Sequence, residues 1–182
     1  MVGMSSIVAR GEWTRDDLAR LPDDGQRYEI LDGALVVTPS PTPGHQVVVF
    51  GLNEQLRRAC PAHLRVLGAP LDVIFGERDV LQPDLLVIRR ELIGPQRLLG
   101  GPELAVEVLS PGSRHTDRTV KLQRYERAGT PAYWLADPDE LTLTAYELRD
   151  GRYAQAAHVT ADQAWTAHIP YEVTITPATW LD

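Results

Sequence analysis

The sequence predicts a single mixed α/β domain. Three observations lead there: apolar runs of strand character alternate with stretches at helical spacing, two Asp-Gly pairs mark β-hairpins, and no repeat, low-complexity segment or linker divides the 182 residues. A chain of this length buries a sizeable core without disulfides.

Taken in order, Thr14 to Leu18 reads as a short helix, with a Thr cap and acids in its first turn. Tyr28 to Val37 is a hairpin about Asp32-Gly33, a pair suited to a two-residue type I′ turn, and its register sets Glu29 opposite Val36. The proline-rich stretch Pro39–Gly44 is a loop. His45 to Cys60 follows as a helix, with Val49, Leu52, Leu56 and Ala59 at helical spacing and Glu54 paired to Arg58, although the β-branched run Val47–Val49 favours strand. From Leu64 to Phe75 the pattern is strand, and after a turn at 76–79 come Val80-Leu81 and Asp84–Ile88, the latter opened by Pro83. Residues 89 to 102 are a surface connection.

The stretch from Glu103 to Arg127 combines the apolar strand Leu104–Leu109, a Pro-Gly break and a basic amphipathic helix beginning near Arg114; Gly129-Thr130-Pro131 stops that helix. Ala132 to Ala136 is a buried strand in which Tyr133 and Trp134 belong to the core. Leu141–Leu148 and Arg152–Thr160 form the second Asp-Gly hairpin, and Ile169 to Ile175 one last strand. These C-terminal additions read as a β appendage, about 139–182, on a core of about 28–138.

Composition removes several classes. The one cysteine, Cys60, allows neither an internal disulfide nor a cysteine-based zinc site, so a cytoplasmic location is expected. The N-terminal residues lack the apolar core of a signal peptide, and no run approaches the ~18 residues of a membrane span. The five histidines show no HExxH or HxH spacing, and no phosphate loop or GxSxG motif is present. The net charge of −7 means that any grip on nucleic acid must be local.

Two residues of the 103–127 stretch stand out. Glu107 lies inside a uniformly apolar strand, where an unpaired carboxylate costs several kcal/mol or is forced neutral. Lys121 is the only lysine among the 18 Lys and Arg residues. Asp84 opens another apolar strand. Two such acids on neighbouring strands repel unless a cation lies between them, and Mg²⁺ takes one or two carboxylates with waters and phosphate oxygens. Read alone, Asp84 fits a solvated strand end or a structural ion pair as well as a functional role, whereas the uniformly apolar flanks of Glu107 favour the functional one. Stepping three residues back from Ser110 along a strand, and seven forward from Arg114 along an antiparallel helix, covers roughly 10 Å each way and brings Glu107 level with Lys121. Arg114, Arg118 and Lys121 share a helix face, a basic stripe suited to a phosphate backbone; the bland alternative is an exposed Asp117–Lys121 pair worth about 0.3–0.5 kcal/mol. Glu29 is a further candidate acid, and His45, at a helix start, is either a phosphate contact or an exposed cap.

The segments YEILDGALVVTPSPTPGHQ (28–46), QPDLLVI (82–88), LAVEVLSPGSRHTDRTVKLQRYERAGTPAYWLADP (104–138) and DGRY (150–153) together resemble the Uma-two family of endonucleases, a branch of the PD-(D/E)XK restriction-endonuclease-like superfamily. The resemblance implies a restriction-endonuclease-like core, a mixed sheet flanked by helices. Asp84 and Glu107 would be the catalytic, metal-binding acids, and Glu29 the acid from the first element. His45 and Gln46 match a family motif. The superfamily's lysine two residues after the second acid is Leu109 here; in similar families the following helix supplies it, so the resemblance implies that Lys121 would take its place.

A Mg²⁺-dependent endonuclease, with Mn²⁺ as substitute and DNA as substrate, is therefore the expectation, with Arg114, Arg118 and His45 as nucleic-acid contacts. The alternatives are a catalytically silent nuclease fold that binds DNA or protein, and a phosphodiesterase acting on something other than nucleic acid. A homodimer is expected by superfamily analogy alone.

Overall fold

The computed structural model describes residues 6–181. The expectation of no signal peptide falls partly on residues 1–5, which lie outside the described residues.

A six-stranded mixed sheet forms the centre, in the order β11 (Arg152–Thr160), β10 (Thr142–Arg149), β9 (Ala132–Asp137), β8 (Leu104–Val108), β7 (Leu85–Arg89), β4 (Leu64–Gly68). Only β8 and β9 run parallel, joined through the helical segment between them. Helix α2 (Pro43–Ala59) covers one face of the sheet with Val48, Leu52 and Leu56, which meet Leu85, Val87, Leu104, Val106 and Val108. The intervening residues Leu86, Ala105 and Leu109 point to the other face, as strand alternation requires. That face is covered by a second, antiparallel sheet, β1 (Ser6–Arg10), β3 (Ala34–Thr38), β2 (Arg27–Leu31), β6 (Asp79–Leu81), β5 (Val73–Gly76), and by helix α4 (Leu122–Arg127), whose Tyr125 is fully buried.

The β2–β3 hairpin has the predicted register, Glu29 against Val36, and both turn residues have positive φ, Asp32 at 54° and Gly33 at 76°. Asp150 and Gly151 repeat this in the β10–β11 hairpin. The short helix α1 (Arg15–Leu18) begins at the expected Thr14 cap, whose N–H and hydroxyl both donate to Asp17 Oδ2. Tyr133 and Trp134 are fully buried, as expected of core residues.

Several expectations are corrected. Leu64–Phe75 is not one strand: β4 and β5 lie in different sheets, and Pro70, which has no N–H to donate, falls in the break. Helix α2 starts at Pro43 rather than His45, because Thr42 caps it and proline is tolerated in a first turn. Asp84 precedes β7 instead of lying within it. Of Ile169–Ile175 only β13 (Val173–Ile175) is strand, and it pairs with the unpredicted β12 (Trp165–Ala167). Residues beyond 139 do more than extend an edge. The hairpin continues the central sheet, while Val173, Ile175 and Trp180 belong to the same core cluster as α2. No helix among the described residues is long and apolar enough to cross a membrane.

Candidate functional site

Strand alternation gathers the polar groups. In β2, Arg27 and Glu29 are two residues apart and share a face. Leu85 of β7 is opposite Val106 of β8, so one step further along the antiparallel ladder Asp84 comes opposite Glu107. The Val108 N–H donates to Asp84 Oδ2 at 2.8 Å, which locks that step. Pro83 and the end of β6 turn the chain here, and the Gln82 N–H donates to Glu29 Oε1 at 2.8 Å, tying the second sheet to the first.

After β8 the chain turns at Ser110–Ser113 and forms a helix in three parts: α3 (Arg114–Thr116), a π-helical turn Asp117–Lys121, and α4. The π-helical turn admits one extra residue and so rotates the side chains beyond it to new directions. Lys121 Nζ donates to Glu107 Oε1 at 3.1 Å and contacts Glu29 Oε1 at 3.0 Å. Asp117 Oδ1 lies 3.4 Å from the same ammonium and has no hydrogen bond of its own. Glu29, Glu107, Asp117 and Lys121 are each 2% exposed or less.

Asp84 is held at both oxygens. Arg27 Nη1 donates to Oδ1 at 2.7 Å, and His45 Nε2 lies 3.2 Å from Oδ2. His45 reaches it from the first turn of α2. The side chains of Arg27 and His45, 18% and 11% exposed, are the members of the cluster nearest to solvent.

The electrostatics are unbalanced. Four buried carboxylates (Glu29, Asp84, Glu107, Asp117) face two full cations, Arg27 and Lys121. Burial pushes the Glu107 carboxyl well up, Lys121 pulls it back only partly, and Asp117, Asp84 and Glu29 push it further. Burial likewise raises Asp117 despite Lys121 beside it. Asp84 goes the other way: burial raises it, but the His45 hydrogen bond, the Arg27 guanidinium and the Val108 amide together hold it far below the usual carboxylate range. The Lys121 ammonium is disfavoured by burial and favoured more strongly by Glu107, Glu29 and Asp117, so it stays protonated.

This donor set fits a hard divalent ion of the Mg²⁺ kind. Two carboxyl groups face each other from adjacent strands, and with all four acids ionised the cluster would lack two positive charges, which is what such an ion supplies. Among the described residues no group of three or more His, Cys, Asp or Glu is placed to hold a metal ion, so an ion between Asp84 and Glu107 would need waters or phosphate oxygens to complete its shell.

The structure thus brings Glu29, Asp84, Glu107, Lys121 and His45 together. It does not bring Arg114 and Arg118 to them. The stripe expected on one helix face is split by the π-helical turn: Lys121 points inward, while Arg114 and Arg118 both pair with Asp137 at the end of β9. The pair Asp117–Lys121 is buried rather than solvated. Sequence reasoning missed two members, Arg27 and Asp117. Arg27 had a signal, since it is two residues from Glu29 on the same strand face. Asp117 had one too, four residues before the lone lysine, but an exposed ion pair explained that spacing as well.

No curated protein sequence matches the chain. Among solved structures it is similar to the crystal structure of "a putative nuclease belonging to DUF820 from Anabaena variabilis", with a TM-score of 0.75 over 92% of this chain and 97% of that one. At 21% identity that likeness establishes the fold. The family model Uma2, described as "Putative restriction endonuclease", matches residues 15–178, nearly all of the described chain. The protein is therefore a member of the Uma2 family, and its mixed sheet and flanking helices are that family's nuclease-like fold.

Proposed function

We propose that the protein is a metal-dependent endonuclease that hydrolyses phosphodiester bonds in DNA. The observation that carries this is the Lys121 ammonium set against Glu107, with Asp84 directly across the strand pair. Asp84 and Glu107 would hold Mg²⁺, or Mn²⁺ in its place. When bound, the ion supplies charge neutralisation at the phosphoryl group and a water of lowered pKa.

The chain's own residues supply position. Lys121, kept protonated by its carboxylates, cannot take a proton; it donates hydrogen bonds and orients the attacking water or the phosphoryl oxygen. Glu29 fixes Lys121 and assists at the water. His45 and Arg27 fix Asp84 and, being nearest to solvent, meet the substrate phosphate first. Arg114 and Arg118 can contact the phosphate backbone only in competition with Asp137. A second route for the strand is the cavity of about 800 Å³ lined by Arg15, Asp72, Gln82 and Arg97, which shares Gln82 with the site. Among the described residues Arg15 and Arg97 have no ion-pair partner.

One observation favours a catalytically silent, DNA-binding reading: both oxygens of Asp84 are already engaged. Nicking of supercoiled plasmid in Mg²⁺ or Mn²⁺ separates the two. Wild type is expected to nick, and Asp84→Ala, Glu107→Ala and Lys121→Arg each to lose at least on the order of a hundredfold in rate. Nicking that survives all three substitutions removes the site; none with either metal supports the silent reading.

A further inference from the structure

Lys121 has more negative partners than its own charge requires. Glu29 and Glu107 lie at 3.0 and 3.1 Å, yet Asp117 is also buried beside it at 3.4 Å, with an oxygen that has no hydrogen bond. A third buried carboxylate is unfavourable unless something repays its desolvation. Stability of the fold does not explain it, because Glu29 and Glu107 already neutralise the ammonium.

The three carboxylates differ in what else holds them. Glu29 is fixed by the Gln82 amide, and its other oxygen lies 3.9 Å from Arg27. Glu107 faces Asp84, across the position where a divalent ion would sit. Asp117 stands one helical turn before Lys121 on the same π-helical segment, and the Tyr133 hydroxyl donates to its backbone carbonyl at 2.9 Å, anchoring that turn to β9. It is the partner that moves with the lysine's own backbone, and apart from Lys121 its carboxylate is held only by a hydrogen bond from Ser113, one turn earlier on the same segment.

We infer that Asp117 is a positioning residue: it holds the Lys121 ammonium in place when a divalent ion draws Glu107 away. This inference rests on the nuclease reading for its purpose but not for its test. In the free protein Glu107 and Glu29 hold Lys121, and Asp117 is redundant. With the ion present, Glu107 turns part of its charge to the metal, and Asp117 with Glu29 keeps Lys121 from following it.

Because Lys121 is the only lysine, selective ¹⁵N-lysine labelling of the whole chain gives one ammonium resonance. Ca²⁺, added alone, serves as the probe ion. The wild-type signal is expected to stay sharp with and without Ca²⁺. Asp117→Asn is expected to leave it unchanged without Ca²⁺ and to broaden it or raise its solvent exchange at least fivefold once Ca²⁺ is added, while Asp117→Glu restores the wild-type behaviour. In the nicking assay Asp117→Asn should lower kcat on the order of tenfold or more with KM unchanged, as misplacing a catalytic group does. An ammonium signal in Asp117→Asn that responds to Ca²⁺ as wild type does overturns the inference. So does a signal already lost without Ca²⁺, in a protein whose thermal melting shows it folded; if the Asn variant does not fold, Asp117→Ser is read by the same criteria. Should wild type fail to nick while the Ca²⁺-dependent loss is seen, the nuclease reading fails and the positioning role stands.

Discussion

At the scale of single residues, the site is built from groups that the fold alone would not select. Glu107 is destabilising when ionised, because burial and the neighbouring acids raise its carboxyl. An acid whose folded pKa is raised costs no stability below its unfolded pKa, and the cost grows as pH rises through the interval up to the folded one. Metal-free Glu107→Gln is therefore expected to melt higher than wild type at pH 8, with the difference shrinking toward pH 4. A variant that melts lower at pH 8 would mean that Glu107 is structural. Asp84 has the opposite sign: its carboxyl is held low by His45 and Arg27, so its contribution is lost only in strong acid. The two acids are thus prepared differently: the surroundings of Asp84 favour its ionised form and those of Glu107 its neutral form, so a cation held as proposed would draw a proton from Glu107. Affinity for Mn²⁺ should accordingly rise with pH, with protons released on binding, and calorimetry in buffers of different ionisation enthalpy reads that release directly.

At the scale of elements, the strand–helix unit from β8 to α4 does the gathering, and the packing of α2 holds the opposite face. Gly51 shows how tight that packing is: a Cβ there would lie 2.4 Å from the Trp180 backbone oxygen, where the C-terminal 3₁₀ turn Pro177–Leu181 crosses the helix. Gly51→Ala should therefore destabilise by about 1–3 kcal/mol, despite alanine's better helix propensity; thermal melting at or above the wild-type temperature would show that the turn yields freely. The sequence made much of this level legible. Turn chemistry placed both hairpins, because Asp-Gly at positive φ has few alternatives, and rise-per-residue arithmetic brought Glu107 and Lys121 together. It failed where tertiary structure decides. A π-helical turn leaves no mark in a hydrophobic pattern, so Arg114 and Arg118 were expected beside Lys121 when they face Asp137. The division of Leu64–Phe75 between two sheets was hidden because both pieces are apolar and extended. Arg27 was overlooked because the hairpin was read as beginning at Tyr28, which left the first residue of β2 outside the strand.

At the scale of the whole molecule, a chain of net charge −7 that acts on DNA, as proposed, would have to bind that polyanion through a small area. Most of the arginines near the site are already paired with acids, Arg27 with Asp84 and Arg114 with Asp137. Arg15 and Arg97, bordering the cavity that meets Gln82, have no such partner among the described residues. If the strand runs there, Arg15→Ala and Arg97→Ala should each lower the slope of log affinity against log salt by about 1, and uniformly across DNA sequences. The same loss in Arg114→Ala and not in these two would move the path to the Asp137 side.

The proposed function requires Asp84 and Glu107 to share a divalent ion beside Lys121. Anomalous scattering from crystals of the protein soaked in Mn²⁺ tests it most directly. A peak is expected between the two carboxylates, with Lys121 still against Glu29 and Asp117. A crystal with Mn²⁺ bound elsewhere, and Asp84 still clasped by Arg27 and His45, would contradict it.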